Sequence, residues 1–294
     1  MSSTTPQGHS GKIRYLDFSL FHNKRPPTGS TYIRMIQLEK YWDDFKRYKY
    51  GENPDCLIFQ KVYCSADYKF PAQFENTTIL DICDPDWLNG NAVKETYDAV
   101  DGIVTSTERM AEFMRQLGDK PVKVIPDRFD LELLPKPKKH TGKAKSAVWF
   151  GYVHNAEALK FGMDTLNRNG IKLTVISNDD PGAWKWTDET YKTQYTYKKY
   201  REETIYEELQ KHDFAFIPKN VRPEDEFKSN NRTIKAHLAG LPVVYDKDTL
   251  EKFMVGSERQ KWLDTEYDII KANYDVRKSV IEYKDFIDEI KTNR

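Results

Sequence analysis

The sequence predicts an α/β protein made of two alternating strand–helix units and a helical C-terminal tail. Short β-rich runs alternate with helical patterns from residue 13 to residue 125, and the alternation restarts at residue 147. Such repetition is typical of parallel strands joined by crossover helices. The 294 residues also suit two domains of ordinary size. We therefore expect two Rossmann-like units.

The first unit carries five predicted strands, separated by helical patterns. The strands are Ile13–Leu20, Cys56–Gln60, Thr78–Ile82, Gly102–Thr105 and Val122–Ile125. After the first strand, apolar residues recur at helical spacing. They are Tyr32, Met35, Ile36, Leu38 and Trp42. A further helix is expected over Glu108–Leu117.

The second unit repeats this order and ends in a helical tail. Its predicted strands are Ala147–Phe150, Leu173–Ile176, Phe214–Ile217 and Pro242–Tyr245. Its predicted helices are Glu157–Asn167, Glu202–Lys211 and Asn231–Ala239. In the tail, one face of an amphipathic helix is formed by Val276, Val280, Tyr283, Ile287 and Ile290.

A lysine-rich segment separates the two units. Leu134–Ser146 has five lysines and two prolines, a composition that predicts an exposed interdomain linker. Contact with phosphate or nucleic acid is the alternative for this segment. The predicted domains are residues 1–134, 146–265 and 266–294, and the last is expected to pack against the N-terminal domain.

Composition and motifs exclude several classes of protein. Lys plus Arg and Asp plus Glu both number 46, whereas a dedicated duplex-DNA binder is usually basic. The three cysteines lack metal-ligand spacing, and no apolar run reaches the ~20 residues of a membrane span. We expect reduced thiols and a cytoplasmic protein. GxGxxG, Walker, GxSxG and HExxH motifs are missing, which argues against dehydrogenases, NTPases, serine hydrolases and zinc proteases.

The most informative stretch runs from Phe214 to Tyr245. A strand ends at Pro218, a polar loop follows, and a helix is expected to begin near residues 229–231. A helix N-terminus offers unpaired N–H groups and partial positive charge, so it suits a diphosphate. The candidate donor-binding residues there are Lys228, Ser229, Asn230, Asn231, Arg232 and Lys235. A plain helix cap with solvated cations is the other interpretation.

This stretch, KSNNR followed by AGLPVV, resembles the donor-binding segment of GT-B glycosyltransferases. Other pieces follow in the family's order: Thr28–Arg34, Ile79–Trp87, Val100–Asp130 and Trp149–Leu159. The resemblance implies two Rossmann-like domains facing each other across a cleft. It implies a retaining, family 4-like hexosyl- or pentosyltransferase. The second domain would bind a nucleotide-sugar co-substrate such as a UDP-sugar, with no tightly bound cofactor and no metal.

The resemblance also has two departures. Phe227 and Lys235 stand where retaining members carry a Glu-x7-Glu pair, and Glu226 is one residue away. Gly151 is followed by Tyr152 rather than by Arg, and Glu157 stands in the position of the family's Lys. Gly151 and Tyr152 remain candidate donor-binding residues, and Lys228, Arg232 and Lys235 would supply the missing positive charge.

Three residues are candidates for the chemistry. Asp81, near the end of the predicted strand Thr78–Ile82, and Asp84, just after it, are expected to face the ligand crevice, and His154 follows the first strand of the second domain. Asp86, in contrast, is expected to cap a helix. Asp84-Pro85-Asp86 also spells the metal-binding DxD of another glycosyltransferase fold, a weak signal.

On the acceptor side, the resemblance points to Gly29, Ser30 and Arg34. The acceptor itself stays open: a glycan, a lipid-linked sugar or a modified DNA base such as a hydroxymethylated one. Tyr191–Arg201 interleaves basic and aromatic residues, as either a strand or a nucleic-acid surface would. The alternative function is a non-catalytic nucleotide-sugar-binding or scaffold protein.

Overall fold

A computed structural model describes residues 11–23, 27–65, 70–183, 194–218 and 222–293. The chain divides into two compact units. The first comprises Met1–Phe129, Pro223–Ser229 and Asp275–Arg294, and the second comprises Asp130–Arg222 and Asn230–Tyr274. Each unit is therefore assembled from separate stretches of the chain.

Each unit contains one parallel sheet, and the eleven described strands are numbered in chain order. They are β1 Ile13–Asp17, β2 Phe45–Arg47, β3 Cys56–Gln60, β4 Thr77–Ile82, β5 Gly102–Thr105, β6 Val122–Val124, β7 Ser146–Gly151, β8 Lys172–Ser177, β9 Tyr195–Lys199, β10 Phe214–Phe216 and β11 Val243–Val244. The first sheet has the order β2-β1-β3-β4-β5-β6 and the second β11-β10-β7-β8-β9. Both orders match two Rossmann-like domains, as the sequence predicts.

The helices are numbered in the same way. They are α1 Phe18–Phe21; α2, built of Gly29–Thr31, a π-helical turn Tyr32–Ile36 and Gln37–Glu39; α3 Phe70–Gln73; α4 Val93–Ala99; α5 Glu108–Arg115; α6 Met163–Arg168; α7 Ile205–Gln210; α8 Asn231–Leu238; α9 Lys247–Phe253; α10 Gly256–Asn273; and α11 Val276–Thr292. Short 3-10 turns cover Asp86–Asn89, Leu131–Leu133, Val153–Phe161, Pro181–Ala183, Glu202–Thr204 and Pro223–Glu226.

The first sheet is covered on both faces, which is why its strands consist of continuous buried runs. Every residue of β3, β4 and β5 is buried. Alternate residues enter different cores: Ile58 packs in a cluster with α11, whereas Phe59 packs in a cluster with α4 and α5. The C-terminal helix α11 is thus a structural part of the first unit.

Two elements differ from the sequence prediction. The predicted strand Ile13–Leu20 ends at Asp17, because the Asp17 side chain accepts a hydrogen bond from Leu20 N (2.9 Å) and caps α1. The predicted helix Glu157–Asn167 is a 3-10 segment that is followed at Gly162 by the short helix α6. Near the tail, α10 runs through residue 265, and the chain enters the first unit at Asp275.

The lysine-rich segment is partly exposed, but it is not a linker between the units. It belongs to the second unit, and its His140 and Ala144 side chains are buried. Its backbone is anchored, since Ala144 N donates to Met254 O (2.9 Å) and Arg259 donates to the carbonyls of Thr141 and Gly142 (3.2 Å each). The prediction failed because the partners that hold this segment lie more than a hundred residues away.

Candidate active site

Polar side chains collect at the carboxyl ends of the strands in the first sheet, where ligands bind in α/β folds. Asp17, Gln60, Asp81 and Thr105 end or nearly end β1, β3, β4 and β5, and all four are buried. The exposed groups at this edge of the sheet are therefore the ones to consider for chemistry.

Arg34 and Asp81 form a buried ion pair that is closed to ligands. The Arg34 guanidinium donates to both Asp81 oxygens at 2.7 Å and to Asp127 Oδ1 at 2.9 Å. Tyr283 of α11 donates to Asp81 as well. The expectation that Asp81 faces a crevice and that Arg34 faces the acceptor is wrong, because both side chains are almost fully buried and paired with each other.

The electrostatics of this network fit a structural role. Burial opposes the charge on Arg34, but Asp81 and Asp127 outweigh it and raise the pKa of Arg34 further above its ordinary value. Burial and the Asp81 carboxylate raise the pKa of Tyr283, so its hydroxyl stays protonated. Removing one member of such a pair costs about 3–5 kcal/mol, because the other charge is left buried.

Asp84, three residues further on, has a different environment. Its side chain is 38% exposed, and Lys61 Nζ lies 2.6 Å from its Oδ2. Lys61 also lies 3.3 Å from Asp86, which accepts a hydrogen bond from the Tyr63 hydroxyl (2.6 Å). Asp86 is therefore not a helix cap, and the 3-10 turn that begins there has no side-chain cap. Asp84 is the accessible carboxylate of this cluster.

Burial and the charges within the cluster set its protonation states. Burial acts to lower the pKa of Lys61, but its interactions with Cys83, Asp84 and Asp86 outweigh this and raise it, so Lys61 is a cation. Burial raises the pKa of Asp86, which Lys61 only partly offsets. Lys61 thus supplies a positive charge in direct contact with the Asp84 carboxylate.

Lys61 was missed by sequence reasoning, although its backbone marks it. It follows β3 directly and has a φ of 53°, a left-handed conformation that is uncommon for a residue with a side chain. Its N–H donates to Asp81 O at 2.9 Å, which fixes the turn. Strained residues of this kind cluster at functional sites. The available sequence signal was a lysine immediately after a buried strand, next to the strand that ends in the Asp84 turn.

Gly29 and Ser30 lie at the start of α2, following β1 and α1. Both are partly exposed, and Thr28 caps the helix by accepting from Thr31 N (3.4 Å). Thr31 is buried and bonds to Ser19 Oγ (2.9 Å). The loop is therefore fixed by the hydrogen bond of the buried Thr31, while Gly29 and Ser30 remain accessible.

In the second unit, four predicted residues come together at the carboxyl end of β7. Gly151 has a φ of 146°, and a Cβ placed on it would lie 3.3 Å from Arg232 Cδ. The Arg232 guanidinium lies 5.7 Å from the Trp149 ring. Tyr152 is 41% exposed, and its ring stacks on His154 at 5.6 Å. This group has a cation, a glycine without a side chain and two accessible rings.

Lys235 is not a free cation. It is buried and donates to Glu202 Oε1 (2.6 Å) and to the Tyr200 hydroxyl (2.9 Å). Burial lowers the pKa of Lys235, and Glu202 partly offsets this effect. The prediction that Lys235 neutralises a diphosphate conflicts with this pairing, which sequence reasoning did not find because Glu202 lies in a separate turn.

The remaining members of the predicted cradle lie on either side of the boundary between the units. Ser229 is in the first unit, where it donates to Asp127 Oδ2 (2.5 Å), and Lys228 Nζ lies 3.6 Å from Asp225. Asn230 and Asn231 belong to the second unit. Asn230 precedes α8 as its N-cap residue but makes no side-chain capping bond.

Two absences apply to the described residues only. There, no group of three or more His, Cys, Asp or Glu side chains could hold a metal ion. Within the same ranges, no helix has the length and apolar character that a membrane span requires.

No protein-family model and no curated protein matches the chain. Solved structures do match it. A DNA-modifying β-glucosyltransferase, solved with and without uridine diphosphoglucose, has a TM-score of 0.59 at 12% identity, covering 95% of this chain and 98% of that one. A UDP-forming α,α-trehalose-phosphate synthase from Burkholderia vietnamiensis has a TM-score of 0.54 at 12% identity, with coverages of 94% and 85%.

TarM matches with a TM-score of 0.56 at 10% identity, over 79% of this chain. The chain spans only 54% of the TarM structure, about half its length. At such identities the likeness establishes the fold alone. The protein is an α/β chain with the GT-B fold of two Rossmann-like domains, and one of the solved structures that share this fold is the DNA-modifying β-glucosyltransferase.

Proposed function

We propose that the protein is a glycosyltransferase that moves a sugar from a nucleotide-sugar to an acceptor hydroxyl, with Asp84 as the general base. The observation that carries the proposal is the accessible Asp84 carboxylate, held at the carboxyl end of a parallel strand and 2.6 Å from a cationic Lys61. A base within hydrogen-bond reach of the attacking hydroxyl contributes about 100- to 10,000-fold to rate.

The proposed step is a displacement at the anomeric carbon. The acceptor oxygen forms a bond to that carbon, the bond to the nucleotide diphosphate breaks, and the hydroxyl proton passes to Asp84. Lys61 orients the carboxylate and stays protonated. The resemblance to family 4 implies retention, whereas a base on the acceptor side suits inversion. The anomeric configuration of the product, measured by NMR, decides between these outcomes.

The donor diphosphate is proposed to bind at the start of α8. Backbone N–H groups at a helix N-terminus favour an anion, and Arg232 adds a charge that is held beside Gly151 and Trp149. Gly151 permits close approach because it has no side chain. Tyr152 and His154 offer ring faces to the nucleotide or the sugar. We propose the nucleotide-sugar as a co-substrate, with no tightly bound cofactor and a cytoplasmic location.

The first acceptor to test is a hydroxymethylated base in duplex DNA. The DNA-modifying β-glucosyltransferase matches over 98% of its own length, whereas the TarM structure is only half covered. The experiment incubates the protein with UDP-glucose and duplex DNA containing hydroxymethylcytosine, and mass spectrometry detects glucosylated base. Glycan acceptors and other nucleotide-sugars are run in parallel. Asp84→Asn is the matched control, which keeps the side-chain shape and removes the base.

The results separate the two candidate functions. Transfer to any acceptor that is lost in Asp84→Asn supports the proposal. Donor binding by calorimetry without transfer or donor hydrolysis identifies a non-catalytic nucleotide-sugar-binding protein instead. If transfer is unchanged in Asp84→Asn, Asp84 is not the general base.

A further inference from the structure

Four lysines of the segment 134–146 project from an anchored stretch of backbone in the second unit. Lys136, Lys139, Lys143 and Lys145 are exposed, and we call these four residues the lysine surface. None of the four side chains forms an ion pair with a residue in the described part of the chain. The sequence predicts an exposed linker here, with contact to phosphate or nucleic acid as the alternative, and the structure shows an anchored part of the second unit instead of a linker.

Buried groups fix the backbone from which these lysines project. His140 is buried, its N–H donates to Gln260 (2.8 Å), and its Nε2 donates to Gly240 O (2.8 Å). Burial lowers the pKa of His140, which favours the neutral ring at neutral pH. Arg259, fully buried, donates to the carbonyls of residues 141 and 142. The lysines are therefore presented in a fixed order and not on a mobile tether.

A lysine paired with an aspartate and one further exposed lysine lie at the same corner. Asp213 accepts hydrogen bonds from Lys145 N and Ser146 N (2.8 and 3.0 Å), and Lys138 Nζ lies 3.9 Å from it. Lys172 N donates to Lys145 O (2.9 Å), which places another exposed lysine on the adjacent strand. The formal net charge of the whole chain is zero, so this positive charge is a local feature.

The chemistry of the surface favours a phosphate polymer. The exposed residues of the segment 135–145 are four lysines, a threonine and a glycine, without the large apolar side chains that membrane-surface binding uses. Lysines act as point charges toward phosphates and do not read sequence. At no more than ~3.3 Å per residue, Lys136 to Lys145 spans up to about 30 Å, while duplex DNA carries one charge per about 1.7 Å of its axis.

We propose that the lysine surface binds the phosphate backbone of a nucleic-acid acceptor, as a contact additional to the active site. This inference rests on the proposed function, because it gives a polymeric acceptor to the proposed transferase. The surface holds the polymer through charge, independently of its sequence.

The test measures binding of a fluorescein-labelled duplex DNA of about two turns (about 20 bp) by anisotropy, without nucleotide-sugar. The variant replaces Lys136, Lys139, Lys143 and Lys145 with alanine. The matched control replaces the exposed lysines Lys252, Lys261, Lys271 and Lys278 with alanine, so that both variants lose four positive charges. A third variant carries arginine at the four lysine-surface positions and keeps the charge. Circular dichroism verifies folding of each.

We expect the lysine-surface variant to bind at least about 10-fold more weakly at low salt, with a salt slope shallower by up to about 3.6, or about 0.9 per lost phosphate contact. The control and the arginine variant should stay within about threefold of wild type. Equal weakening in the lysine-surface variant and the control overturns the inference, since total charge then explains binding. Lysine-dependent binding to phosphatidylserine vesicles without lysine-dependent DNA binding also overturns it.

Asp84→Asn separates this inference from the proposed function. We expect it to bind the duplex as wild type does, because Asp84 is in the other unit and is not required for phosphate contact. Lysine-dependent DNA binding without any transfer activity would reject the transferase and keep the surface. Transfer to DNA by a lysine-surface variant whose affinity for the duplex is unchanged would reject the proposed surface and keep the transferase.

Discussion

Asp81 lies in β4 and Asp84 in the turn that follows it, and the structure predicts opposite consequences when each is replaced by asparagine. Asp81→Asn leaves the buried Arg34 with one carboxylate partner, Asp127, instead of two. Removing one member of a buried pair costs about 3–5 kcal/mol. Because Asp127 and the Ile125 carbonyl still accept from Arg34, we expect a loss near the lower figure, about 3 kcal/mol.

Asp84→Asn should barely change the free energy of unfolding. The Asp84 side chain is 38% exposed, and Lys61 keeps Asp86 at 3.3 Å after the substitution. Ion pairs with exposed members contribute about 0–1 kcal/mol. Turnover, in contrast, should fall by at least about 100-fold, with the donor dissociation constant changed less than about threefold.

Urea unfolding gives the free energies, and hydrogen exchange in peptides that cover β4 and β5 assigns the loss to the first sheet. Steady-state turnover and calorimetry of donor binding complete the comparison. The reasoning is refuted if Asp81→Asn is as stable as wild type and loses turnover, because Asp81 would then act in the chemistry. Full turnover in Asp84→Asn refutes the role of Asp84 as the general base.

Three further outcomes follow from the described contacts. Lys61→Gly should lower turnover at least about 10-fold. Glycine relieves the left-handed φ of 53°, but the buried Asp86 loses its ion-pair partner, so the free energy of unfolding should also fall. Unchanged turnover would exclude Lys61 from the site. Arg232→Ala should weaken UDP binding by about 1.5–3 kcal/mol in calorimetry, whereas the control Lys247→Ala, at an exposed position, should not. Equal affinities would remove the proposed diphosphate site. Burial lowers the pKa of His237 from 6.5 to about 4. The unfolded chain therefore binds more protons between these pH values, and the free energy of unfolding should fall by about 3 kcal/mol as the pH drops from 6.5 to 4. His237→Phe, which keeps a ring against Trp262, should flatten this pH dependence in urea unfolding, and an unchanged slope would contradict the buried neutral state.

Much of the fold could be predicted because buried parallel strands consist of short apolar runs. Cys56–Gln60 and Gly102–Thr105 were predicted to the residue. Short strands with little apolar contrast were harder: β2, Phe45–Arg47, was missed because its sequence, FKR, shows neither alternation nor a β-rich run.

The candidate site was predicted less well, because sequence position does not determine burial. Asp81 and Asp84 both lie at the carboxyl end of β4 or just beyond it, and only the partners of Asp81, which are Arg34 and Tyr283, distinguish a core carboxylate from an accessible one. Lys235 carries the expected charge, but Glu202 from a distant turn neutralises it. These pairings are long-range, so no local pattern encodes them.

The position of α11 affects the order in which the two units can fold during synthesis. The first sheet begins at Ile13, yet Tyr283, Phe286 and Ile290 complete one of its cores. The Ile290 side chain packs closely on Gly102, since a Cβ on Gly102 would lie 2.4 Å from Ile290 Cδ1. Domains usually fold in the order of their synthesis. Here the unit that starts first must wait for α11, so a ribosome-bound chain exposes an unfinished apolar face until Val276–Thr292 has emerged. A stop codon after Tyr274 would make that exposure permanent, and nascent-chain proteolysis should detect it.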